Sequence, residues 1–194
     1  MNDFDFQVMI HPQTDPKALV DLLPSMEGQR IIEVAHECLK NKSWKHLAAM
    51  QEYGFDLSAS HLLGNENLGV HETLIHRCLR IHLYDGVERI SHLLEMGADP
   101  HQPNGQGITP LGLLCVRSRD LPNHRTIEFF DLLEEYGVSI TDSCGNKGHA
   151  RHLLDSDKAV DLLAKYCAEL VPWAQAKILQ EQTPNATGKR TRRL

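Results

Sequence analysis

The chain has 194 residues and a formal net charge of −6, with 41% hydrophobic and 24% charged residues. That length fits one domain, and the apolar content suits a folded chain that exposes more surface than a sphere does. No apolar run approaches the ~20 residues needed to cross a bilayer, and the acidic start Met1-Asn-Asp-Phe-Asp lacks the order of a signal peptide, so a cytoplasmic protein with no membrane role is expected.

In chain order, Asp15 to Leu23 predicts the start of an N-terminal helical cap. Gln29 to Lys40 and Ser43 to Tyr53 read as a helix pair, divided at Asn41-Lys42-Ser43 and closed at Gly54. Surplus residues from about Ser58 to Val70 then precede a second start at Thr73-Leu74-Ile75-His76. The amphipathic run Val87 to Met96 ends at Gly97, which can take the left-handed conformation that closes a helix. The Pro/Asn/Gly cluster from Asp99 to Gly107 predicts tight turns, and Thr109-Pro110 sets a hydroxyl cap before a proline suited to the first helical position. A further helix ends at Tyr136-Gly137, with Arg117 to Arg125 expected as an inserted loop before it. Asn146-Lys147-Gly148-His149 reads as a degenerate start whose second helix is Lys158 to Cys167. Leu170 to Gln182, with Pro172, Trp173, Ile178 and Leu179, is expected to cap the C-terminal side. Thr183 to Leu194 carries Lys189, Arg190, Arg192 and Arg193 without an acid and is expected to be a disordered basic tail; without those four charges the chain stands at −10.

Three of these segments share a register. Aligned on Gly54, Gly97 and Gly137, the chain has Leu47, Ile90 and Phe130 seven residues before the glycine, and Met50, Leu93 and Leu133 four before. Glu52, Glu95 and Glu135 fall two before. Apolar residues three apart share one helix face while the glutamates turn toward water, so each segment is one amphipathic helix ending at a glycine. The segment Gly97 to Leu111, with Thr109-Pro110-Leu111 and the earlier Thr73-Leu74-Ile75-His76, resembles an ankyrin repeat. The spacings of 43 and 40 residues exceed the ~33 of an ankyrin unit, which places the extra residues in loops. The resemblance covers residues 29 to 167 and implies an all-α, ankyrin-like solenoid of about four stacked helix-turn-helix units with helical caps, filling residues 1–182 as a single domain. It also implies that His76 hydrogen-bonds around its helix start, and that Cys78 and Cys115 sit near small positions inside the stack.

Catalytic and metal chemistry find little support in the spacing. Five cysteines (Cys38, Cys78, Cys115, Cys144 and Cys167) form no Cys-x-x-Cys pair and are expected to be reduced. His71, His76, His82 and His92, or His149 with His152, match no zinc pattern, so neither metal nor cofactor is expected. Cys144 with His149 is the least buried-looking nucleophile and base pair, and it defines a third reading as a Cys/His enzyme. Asn104-Gly105-Gln106-Gly107 precedes Thr-Pro rather than the Lys and Ser/Thr of a phosphate loop, so it reads as a turn between units.

Recognition is what the resemblance implies. In such stacks the turns between units project as fingers and bind other proteins, which makes His101, Gln102, Asn104 and Gln106 candidate contacts, with Asn65, Glu66 and Asn67 in the earlier insertion. Arg117, Arg119, Asp120, Asn123 and His124 form a second candidate set, because arginine anchors interfaces by bidentate pairing with carboxylates. The acidic body favours a basic partner protein. The expected function is therefore a non-enzymatic module that sequesters, inhibits or bridges a partner, as antagonist or adaptor. The alternative is a nucleic-acid accessory protein that uses the basic tail.

Overall fold

The computed structural model describes residues 8–62, 71–82 and 84–154, with residues 162, 164, 165, 172 and 175 beyond them. These residues are mostly helical. In chain order they form α1 (Lys17–Leu22), α2 (Gly28–Lys40), α3 (Trp44–Glu52), β1 (His61–Leu62), β2 (His71–Glu72), α4 (Leu74–Ile81), α5 (Gly86–Glu95), α6 (Pro110–Arg117), α7 (Asn123–Glu135) and α8 (Ala150–Leu153). The strands form one antiparallel pair in which His61 faces Glu72 and Leu62 faces His71, in the stretch expected as a plain insertion. The basic tail, the Asn65-Glu66-Asn67 segment and most of the expected helices Lys158–Cys167 and Leu170–Gln182 lie outside the described residues.

The helices pack as pairs, α2 with α3, α4 with α5 and α6 with α7, and neighbouring pairs meet like on like, α4 against α6 and α5 against α7. α8 continues the first row by packing on α6, while α1 covers α3 at the N-terminal side. Helices of 8 to 13 residues are too short to be stable alone, so each depends on burying one face against its neighbours. Those faces are the ones set by the repeated pattern: Leu47, Ile90 and Phe130, and Met50, Leu93 and Leu133, are all 3% exposed or less, so a single core runs through the pairs.

Each second helix closes in the same way. Gly54, Gly97 and Gly137 have φ of 112°, 91° and 86°, the region that favours glycine. The amide after each glycine bonds back five residues, from Phe55 to Met50, Ala98 to Leu93 and Val138 to Leu133, at 2.9, 2.9 and 3.0 Å. The glycine amide itself reaches Gln51, Leu94 or Glu134 at 2.9 Å. These are three Schellman closures, each of which satisfies carbonyls that the helix end leaves free. Lys42 takes φ 54° at the end of α2 and makes the same five-residue closure through Ser43 and Cys38 at 2.8 Å, without a glycine.

Two further positions repeat. Eight residues before the glycine stand His46, Arg89 and Phe129, all buried, and eleven before stand the small buried residues Ser43, Gly86 and Thr126. Each of the first group reaches the preceding layer. The His46 ring meets Thr14 Oγ1 at 3.2 Å, and a Cβ on Gly86 would stand 3.0 Å from the Phe129 ring. Arg89 crosses from α5 to the end of α2, donating to the Leu39 carbonyl and, at 3.1 Å, to that of Lys40. Its other nitrogens hold Asp85 Oδ2 at 3.0 and 2.6 Å, and this pairing keeps the Asp85 carboxyl below its ordinary range.

The inserted loop expected over Arg117 to Arg125 is corrected. Arg117 ends α6, Ser118–Asp120 is a 3₁₀ turn, and Asn123 opens α7. Ser118 and Leu121 are buried, with Ser118 Oγ donating to the Cys115 carbonyl at 2.7 Å, so the surplus residues form a packed corner.

Candidate protein-binding surface

The turn from Gly97 to Thr109 links α5 to α6. It is tied to the preceding layer where the Asp99 amide donates to Ser58 Oγ at 2.8 Å and the Gly105 amide donates to the His71 carbonyl at 2.9 Å. Its tip is held by Asn104, whose Oδ1 accepts from the amides of Gln106 and Ile108, both at 3.0 Å. The next turn attaches in the same manner: the Asn146 amide donates to the Gly107 carbonyl at 2.7 Å, and Asn146 Nδ2 to the Gln106 carbonyl at 2.9 Å. Successive turns thus bond side by side through their backbones. This close approach excludes side chains, since a Cβ on Gly105 would stand 2.5 Å from His71 Cβ.

Asn104 is therefore corrected as a finger residue. It is 5% exposed and its side-chain oxygen is committed to the turn. His101 and Gln106 are exposed and Gln102 is half-buried, so these three present polar groups outward.

His76 and Thr73 explain how a layer receives the next turn. Thr73 Oγ1 caps α4 by accepting from the His76 amide at 3.4 Å and lies 2.8 Å from His76 Nδ1. On the other side of the ring, Nε2 lies 2.8 Å from the Ile108 carbonyl, which can only accept, so Nε2 carries the proton and Nδ1 accepts from the threonine hydroxyl. Burial lowers the His76 pKa to about 4, against the pull of the Ile108 carbonyl, and the ring is neutral at pH 7. In the next layer Thr109 Oγ1 accepts from the Gly112 amide at 3.2 Å, and Gly112 stands where His76 stands in α4. A Cβ there would meet the Cys144 carbonyl at 2.7 Å, so the glycine admits the following turn.

Arg117, Arg119, Asp120, Asn123 and His124 gather at the other end of α6. Arg117 pairs with Asp120 at 3.1 Å, and Arg119, Asp120, Asn123 and His124 are exposed. The eight residues of α6, about 12 Å of helix, separate this corner from the turns. The two candidate sets are not brought together.

Charge follows the same division. Glu52, Glu95 and Glu135 are exposed, and each sits two residues before a closing glycine, next to the turn end of its layer. Glu134 adds a further exposed carboxylate there. The turn end is acidic and the corner end carries arginines. Both sets were named in the sequence, the glutamates by their register before each glycine and the arginines as a cluster between paired helices.

The reading of Cys144 with His149 as the least buried-looking nucleophile and base pair is corrected as well. Cys144 is fully buried beside Gly112 of α6, and His149 is exposed. Among the described residues no group of three or more His, Cys, Asp or Glu side chains is placed to hold a metal ion, and no helix is long and apolar enough to cross a membrane.

Over 112 residues, 56% of the chain, the sequence is 26% identical to a protein of Rickettsia bellii (strain RML369-C) that is named as an ankyrin repeat protein. The match takes in 32% of that relative, so the chain spans about a third of its length. No family model matches the chain.

Proposed function

We propose that this chain is a protein-binding module of the ankyrin type, without a catalytic centre, that acts by occupying a partner protein as antagonist or adaptor. The observation that carries the reading is the coincidence, at one end of the helix pairs, of outward polar turn residues (His101, Gln102 and Gln106) with the glutamate row Glu52, Glu95 and Glu135. The Schellman closures and the apolar core are independent of these side chains, so the surface can specify a partner without disturbing the packing. The similarity to a protein named for ankyrin repeats supports the same reading.

The partner is basic. A net charge of −6 and a row of carboxylates beside the turns steer a positively charged protein toward that end and raise its encounter rate more than its affinity. The arginine corner faces a different direction and is left to a second contact or to none. The test is capture of binding proteins from the native cell by the immobilised full chain, with His101→Ala/Gln102→Ala/Gln106→Ala and Arg119→Glu as paired variants. Loss of the captured protein in the turn variant, with retention in the Arg119 variant, is the expected result; loss only in the Arg119 variant moves the site to the corner.

A further inference from the structure

Cys115 lies in α6 and Cys144 in the turn that precedes α8, and the two fully buried side chains act on one another although they are 29 residues apart. The contact has its own backbone basis. One helical turn before Cys115, Gly112 lets the Cys144 segment approach until a Cβ on the glycine would stand 3.0 Å from Cys144 Cβ. Thr109 Oγ1 donates to the Ser143 carbonyl at 3.2 Å, and Ile108 bridges Gly145, so the turn is held against α6 at both sides of Cys144. Packing alone would accept any two small residues here.

We infer that Cys115 and Cys144 form a thiol–disulfide pair, oxidised by small disulfides of the glutathione class, whose closure staples α6 to the turn before α8. Cys144 attacks one sulfur of the reagent and displaces a glutathione thiolate. Cys115 then attacks the Cys144 sulfur of the mixed disulfide and displaces the second. One sulfur–sulfur bond forms in the protein and one breaks in the reagent, and the two thiol protons leave with the two glutathiones, which are reduced. The roles follow from position: Cys144 lies in the turn whose opening admits the reagent, whereas Cys115 is held inside α6, where burial and the neighbouring thiol push it well above its ordinary value.

Both sulfurs are fully buried, so the reagent enters when the 143–149 segment opens. That opening breaks a few local bonds, chiefly Cys144 N to Gly148 O and Asn146 N to Gly107 O, both at 2.7 Å, and leaves α6 intact. Cys38 and Cys78 offer the contrast. They lie inside α2 and α4, and burial pushes each up to about 12, so they should stay reduced under the same conditions.

The test equilibrates the full chain with mixtures of reduced and oxidised glutathione, quenches in acid, alkylates free thiols and maps the peptides by mass spectrometry. A linked 115–144 peptide, with Cys38 and Cys78 alkylated, is expected. Cys115→Ser, checked for folding by circular dichroism, should accumulate glutathione on Cys144 because the resolving thiol is gone, and Cys144→Ser should leave Cys115 unmodified. The inference is overturned if the wild-type chain keeps both thiols alkylatable in mixtures that oxidise a reference dithiol, or if links to Cys38 or Cys78 form as readily. The wild-type map decides the matter even where a variant does not fold.

Discussion

The Nε2 of His76 lies 2.8 Å from the carbonyl oxygen of Ile108, so one imidazole joins the start of α4 to the turn that begins the next layer. The bond needs the proton on Nε2, and in the neutral ring that burial enforces Nδ1 is then free to accept from the Thr73 hydroxyl. Because burial lowers the pKa in the folded chain to about 4, the unfolded chain takes up protons first as pH falls below its ordinary value near 6.5. Stability is then complete above pH 6.5 and declines down to about pH 4, by about 3 kcal/mol from His76 alone. His36, lowered to about 3 chiefly by burial, acts in the same direction, as do His46 and His82. Urea unfolding at a series of pH values should give this slope, and His76→Gln should be less stable at pH 7 and show a shallower slope.

Arg89→Met should destabilise the chain by about 2–4 kcal/mol, because the Leu39 and Lys40 carbonyls lose a buried donor while the aliphatic volume is kept. Its second signature is at Asp85, whose carboxyl should titrate closer to its ordinary value once the guanidinium is gone. Chemical denaturation and a carboxylate titration by NMR check the two effects separately.

Glycine substitutions should divide by what surrounds them. Gly97→Ala meets open space at φ 91°, and about 1 kcal/mol of backbone cost is expected. Gly145→Ala combines φ 66° with a Cβ placed 1.9 Å from the Gly107 carbonyl oxygen, so the backbone bonds between turns must break and a loss of roughly 2–4 kcal/mol is expected. Equal melting temperatures for the two variants would contradict the side-by-side turns.

Reversing Glu52, Glu95 and Glu135 to lysine together should leave thermal unfolding nearly unchanged, since all three are exposed. Association with the captured partner should slow by about ten-fold or more at low salt, and the difference should shrink as salt is added. Surface plasmon resonance at several ionic strengths measures both.

Much of the fold is legible in the sequence where a residue type has one dominant physical use. The closing glycines, the apolar positions seven and four residues earlier and the Thr-Pro helix start each follow from backbone or burial rules, and the structure has them at those positions. Residues whose chemistry admits several environments were not legible. Asn104 reads as a polar loop tip, yet it is buried and its side-chain oxygen is consumed in holding the turn. Arg89 drew no reading from the sequence, because its burial depends on a carbonyl fifty residues away. Pro122 and Asn123 read as loop, whereas Leu121 and Thr126 bury themselves and fold the corner between α6 and α7. Cys144 reads as an exposed loop thiol because its partner Cys115 is distant in sequence. Among the repeated signals that lay unread was the small buried residue eleven before each glycine, Ser43, Gly86 and Thr126, of which Gly86 receives the Phe129 ring of the next pair.

The binding surface is tested most directly by hydrogen–deuterium exchange of the full chain with and without its captured partner. Slowed exchange concentrated in residues 99–107 and in the glutamate-bearing ends of α3, α5 and α7 is the predicted footprint. Protection confined to residues 117–125, with the turns exchanging as in the free chain, would contradict it.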